Sequence, residues 1–117
     1  MFSKFIEQYL TYLKGERNYS DHTVRISCAA IVFFTKWAMS AGIHHPNQIT
    51  KDSLFQYQEF MIAYRKKNGE PLSLNGRRSR IGRLMVFFRY LYRKNITLMN
   101  AASWLTLPKG GHALPRN

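Results

Sequence analysis

Four arginines, Arg77, Arg78, Arg80 and Arg83, crowd a short stretch of a chain that has no carboxylate side chain after Glu70. Arg89, Arg93, Lys94, Lys109 and Arg116 continue the run, equally without an acidic neighbour. A planar guanidinium presents a rigid fork of N–H donors that matches phosphate, so unpaired arginines of this kind are built to take an external anion. Asn75 and Ser79 add neutral hydrogen-bonding groups within the same stretch. The chemistry this predicts is binding. Bond making needs a nucleophile next to a base, and the seven tyrosines have no base near them in a recognisable arrangement. His44 and His45 are neighbours in sequence, and adjacent positions rarely share one metal ion, so they are read as an exposed loop. Neither a metal nor a cofactor is expected, and isolated catalysis is predicted to be absent.

These arginines must be held by an element, and the apolar spacing around them says which. Ile81, Leu84, Met85, Phe88, Leu91 and Tyr92 recur at helical intervals after Ser73, whose hydroxyl suits a helix N-cap. About Ile81 as the centre of that face, Arg78, Arg89 and Arg93 fall on one flank and Arg80 and Arg83 on the other, while Arg77 sits in the first turn. A helix start already offers free amides and the positive end of the dipole, so arginines placed there reinforce an anion site. The same element fits the major groove of duplex DNA. Val86, Phe87 and Tyr90 lie off the stripe and are either a docking surface or further core.

Three more helices are expected. Ser3 caps the first, where Ile6, Tyr9, Leu10 and Leu13 share a face before Gly15. Ser20 caps the second, which runs to about Ala41, is apolar on two sides and should therefore be central; Gly42 ends it. Thr50 caps the third, with Leu54, Tyr57, Met61 and Tyr64 as its stripe, running to about Lys67 before Asn68, Gly69 and Pro71 stop it. Asn100 caps a short fifth helix containing Ala102 and Trp104. After Leu107 the pattern gives way to Pro108, Gly110, Gly111 and Pro115, linker composition. The expected fold class is all-α: a bundle of four main helices plus a short C-terminal helix.

Composition bounds the partners. With 117 residues the chain suits one domain, and a net charge of +12 predicts attraction to a polyanion. The longest uncharged apolar stretch stops at Lys36, too short to span a bilayer, and the N-terminus carries no signal-peptide pattern. No membrane partner is expected. The lone Cys28 excludes an internal disulfide framework, reads as a core thiol, and places the protein in a reducing cytoplasm. Against a DNA-binding reading stand a solvated basic face serving only solubility, a helical protein-interaction module and an RNA-binding domain.

Three stretches resemble a known family, the N-terminal core-binding (SAM-like) domain of tyrosine recombinases of the phage integrase and Xer group. They are Phe5 to Leu10, Asn18 to Thr23, and Ser79 to Tyr92 with its Phe88-Arg89-Tyr90-Leu91-Tyr92 pattern. The exit, Asn100 to Leu105 followed by Leu107-Pro108-Lys109, is similar to that family's short helix and interdomain linker. The resemblance implies a half-clamp around double-stranded DNA, whose partner half is the parent protein's own catalytic domain, acting with other recombinase protomers in DNA integration and recombination. It implies residues 1–107 as the core-binding domain and 108–117 as a linker toward a catalytic domain absent here. It further places two helix starts at the DNA: Ser20, His22, Thr23 and Arg25 on the second helix, and Asn75, Arg77, Arg78, Ser79, Arg80 and Arg83 on the fourth. Charge had independently selected only the second group; Ser20 is equally a plain helix cap. Two positions depart from the family pattern: Ile26-Ser27-Cys28 stands where an aromatic residue is common, and Asn100-Ala101 replaces Asn-Pro.

Overall fold

Each main helix that begins after a loop is opened by a hydroxyl side chain that the sequence had nominated. In the computed structural model, which describes residues 2–108, Ser20, Thr50 and Ser73 all have extended backbones and accept from the third residue on: Thr23 N–H (3.2 Å), Ser53 N–H (3.0 Å) and Gly76 N–H (2.9 Å). Ser53 returns a bond by accepting from the Thr50 amide, completing a reciprocal capping box. The helices are α1 (Phe2–Gly15), α2 (Asp21–Ser40), α3 (Lys51–Ala63) and α4 (Leu74–Arg93). Two short 3-10 turns, Pro46–Gln48 and Ala101–Trp104, complete the elements, and no strand is present among the described residues. The all-α bundle is therefore as expected, its fifth helix shrunk to a 3-10 turn capped by Asn100.

Ser3 lies inside α1, not ahead of it, because the helix is already formed at Phe2, whose ring is buried edge-on against Phe34. Gly15 is the last residue of α1, but the left-handed residue that turns the chain is Asn18 (φ 56°), and Tyr19 N–H bonds back to Leu13 O. The largest difference is in α3, which stops at Ala63. Tyr64 turns extended, and the Arg65 guanidinium donates to the carbonyls of Ile62, Ala63 and Tyr64, satisfying the last turn from outside. Lys66 to Gly69 then makes a tight turn, with Gly69 at φ +86°, that brings Arg65 opposite Pro71.

The second helix is central, as its two apolar sides required: it packs on α1, α3 and α4. Phe34 sits at its middle with no exposed surface, edge-on to Tyr57 and Phe88 at 4.9 and 5.5 Å. The buried arc of α4 is Ile81, Leu84, Phe87, Phe88, Tyr90 and Leu91, centred nearer Leu84 and Leu91 than Ile81. Phe87 and Tyr90 are thus core, meeting Tyr9 at 5.1 and 5.0 Å, whereas Val86 and Tyr92 remain exposed. Cys28 is only partly buried, at the edge of the core. Among the described residues no helix is long and apolar enough to cross a membrane.

Candidate nucleic-acid interface

The start of α4 projects its polar residues into a broad groove of about 500 Å³, lined by Asn75, Arg78, Ser79, Gly82, Arg83, Val86 and Leu107. Four of the six α4 residues expected at DNA therefore share one surface. Ser73 fixes the first turn, so Asn75 stands at the positive end of a 20-residue helix, with Arg78, Ser79 and Arg83 following along it. The far wall is the exit segment. Arg78 donates to the Pro108 carbonyl, and Gln58 Nε2 donates to Thr106 O at 3.2 Å, which ties residues 106–108 across α3 and α4.

Arg80 and Arg77 are not brought into this groove. Because the buried arc is rotated toward Leu84, Arg80 faces the aromatic side of the bundle, with its guanidinium 4.8 Å from the Phe33 ring centre and its Nε buried without a partner. Arg77 is half-buried in the first turn. Arg83 turns toward α2, donating from Nη1 to Ser27 Oγ at 3.3 Å, while its Nε is buried and unpartnered. Ser27, named in the sequence only as part of a departure from the family pattern, thus has a polar partner on α4. It is a buried polar residue on an otherwise apolar face, and its period with Ser20 and Thr23 is the signal that was available.

On α2, Ser20, His22 and Arg25 are exposed and Thr23 is half-buried. The Ser20 hydroxyl is occupied as a cap and also donates to Thr23 Oγ1 at 3.1 Å. The Ser27 bond ties α2 to the groove residue Arg83, seven residues after the Ser20 cap. Among the described residues only Lys14 and Asp21 form an ion pair, at 3.1 Å on the surface, leaving the α4 arginines without carboxylate partners. His45 has a local structural role away from this surface, where its Nδ1 accepts from Asn47 N–H and opens the Pro46–Gln48 turn.

Residues 6–95 match the family described as phage integrase, N-terminal SAM-like domain. The chain belongs to that family. It is similar to tyrosine recombinase XerC 2 of Ralstonia nicotianae, with 40% identity over 98 residues, covering 84% of this chain and 28% of the relative. It is also similar to tyrosine recombinase XerD of Bifidobacterium longum, with 27% identity over 114 residues, covering 97% of this chain and 35% of the relative. The SAM-like domain thus spans about a third of the length of these curated relatives. No solved structure matches it. The Xer-type resemblance carried by α1, the start of α2 and α4 is borne out by these matches.

Proposed function

We propose that this domain binds duplex DNA as one half of a clamp in a tyrosine recombinase, and that strand cleavage belongs to a separate catalytic domain reached through residues 108–117. All but the first of those residues lie outside the described ones. The observation that carries the reading is the groove along the first half of α4, where Asn75, Arg78, Ser79 and Arg83 converge with no carboxylate to neutralise them. Phosphate oxygens would accept from the guanidiniums and free amides, while Arg78 and Asn75 reach base edges in the major groove. The adjoining start of α2, with Ser20, His22, Thr23 and Arg25, would meet the neighbouring backbone. Arg80, held on Phe33, contributes charge at a distance and no direct contact. Binding in a cytoplasm at physiological salt would be weak for the domain alone.

Fluorescence anisotropy with a labelled duplex across a salt series tests this. If about five phosphates are neutralised, log affinity falls with log salt at a slope near −4.5. A flat response removes the electrostatic basis of the proposal. Arg78→Ala should weaken binding and relax discrimination among duplex sequences, while leaving the helical circular dichroism intact. Competition between duplex DNA and duplex RNA separates DNA from RNA recognition. A protein-interaction role on Val86, Phe87 and Tyr90 is not supported, since two of those three side chains are core.

A further inference from the structure

A second cationic recess lies farther along α4, and it rests on the DNA-binding reading above. Arg17, Arg89 and Arg93 surround a pocket of about 130 Å³ whose walls include Tyr12, Tyr19 and Tyr90. We propose that this pocket holds a DNA backbone phosphate, outside the stretch gripped by the start of α4.

Four observations converge on an anion. The three guanidiniums come from two elements, the loop after α1 and the last turns of α4, and none of them forms an ion pair among the described residues. Lys94 adds a fourth cation, its Nζ lying 5.7 Å from the Tyr12 ring centre and 5.9 Å from that of Tyr90. Glu16 is a carboxylate near this recess, since the Tyr90 phenol is pushed up first by burial and then by Glu16, while Asp21, two residues beyond Tyr19, is paired with Lys14. One exposed acid against four bases leaves a net positive recess. Phenol hydroxyls supply the neutral donors that complete a phosphate's coordination.

The recess is also organised in advance. Asn18, at φ 56°, folds the chain so that Arg17 lies over the Tyr19 ring at 5.4 Å and donates to its hydroxyl at 3.4 Å. A side chain already held there loses little freedom on binding. The negative end of the α4 dipole opposes an anion at this end of the helix, and Arg93 and Lys94 offset it.

Placement makes the phosphate a DNA phosphate. Val86 lines both this pocket and the groove at the start of α4, so the two depressions meet along one flank of the helix. From Arg78 to Arg93 the helix rises about 22 Å. With the helix lying across the duplex, that exceeds the ~12 Å width of a major groove and sets the second site at a backbone beyond the groove met by the helix start.

The test compares wild type with Arg89→Gln/Arg93→Gln and, on the other element, with Arg17→Gln, using a core duplex and one extended by about seven base pairs at either end. Wild type should gain affinity from the extension. The double variant should lose that gain, and its salt slope should be shallower by about 0.9, the share of one phosphate, with unchanged circular dichroism. Arg17→Gln should act in the same direction and by no more than that, since all three arginines share the one phosphate. An unaltered slope in all variants overturns the second site and leaves the α4 groove standing. Wild type that binds no duplex overturns both. Titration with inorganic phosphate, followed by the amide resonances of Arg17 and Tyr19, separates the sources. Weak, unsaturated shifts fit a DNA phosphate. Saturation below millimolar, with duplex binding unmoved by the substitutions, assigns the pocket to a free phosphorylated ligand and overturns the proposal.

Discussion

At the scale of single residues, the unsatisfied polar atoms divide into those that serve binding and those that do not. Tyr57 Oη is buried without a partner, and burial holds its phenol well above the usual range, with Arg80 opposing. A hydroxyl desolvated for no hydrogen bond costs stability, so Tyr57→Phe should leave the thermal midpoint unchanged or raise it. A fall of several degrees would show that the hydroxyl has a partner in solution. Arg83 is a sharper case, since its Nε is orphaned while its Nη1 reaches Ser27. Arg83→Met combined with Ser27→Ala keeps the stem's packing and removes both the orphaned Nε and the buried hydroxyl that Nη1 partners. It should hold or raise the melting temperature while weakening duplex binding, the trade-off expected where a site keeps groups that the fold alone would discard. Reduced stability together with reduced binding would make Arg83 structural.

At the scale of elements, the caps carry the local stability. Thr50→Ala removes one half of a reciprocal box at the start of α3, and a loss of about 1 kcal/mol in urea unfolding is expected. Gly69, at φ +86° in the turn after α3, has open space around a would-be Cβ, so the cost of Gly69→Ala comes from backbone strain alone. About 1 kcal/mol is expected there too. Helix starts were legible because a hydroxyl followed by an apolar period is a local signal. The end of α3 was not: Arg65 satisfies three carbonyls by folding back, and nothing in the apolar spacing distinguishes that from one further turn. The rotation of the buried arc on α4 was equally hidden, since it depends on where α2 crosses. That rotation moved Phe87 and Tyr90 into the core and Arg80 onto Phe33.

At the scale of the whole molecule, the core carries a pH dependence. Burial pushes Tyr9 up to about 12, with like-charge repulsion from Tyr19 and Tyr12 adding to it, and Tyr57 is raised in the same direction. An unfolded phenol ionises near 10, so between pH 10 and 12 the folded state retains protons that the unfolded state has lost. Stability is therefore full below pH 10 and falls as pH rises above it, by up to about 1.4 kcal/mol per unit for each such phenol. Urea midpoints at pH 8 and pH 10.5 should show the decline, and Tyr9→Phe with Tyr57→Phe should flatten it. A midpoint independent of pH over that interval would mean that neither phenol is held neutral by the fold.

By itself the sequence determined the helical class, the caps at Ser20, Thr50 and Ser73, the centrality of the second helix and the excess of unpaired arginine, because each is a matter of local spacing or of counting. Three stretches carried the family. Only the tertiary structure decided which arginines act together. Arg78 and Arg83 meet Asn75 and Ser79 in one groove, Arg80 is diverted to an aromatic ring, and Arg17 is carried from another element to Arg89 and Arg93. Helical spacing fixes the angle between side chains on one rod. How that rod is rolled against its neighbours, and which distant loop arrives beside it, follows from packing Phe34, Leu84 and Leu91 into a shared core.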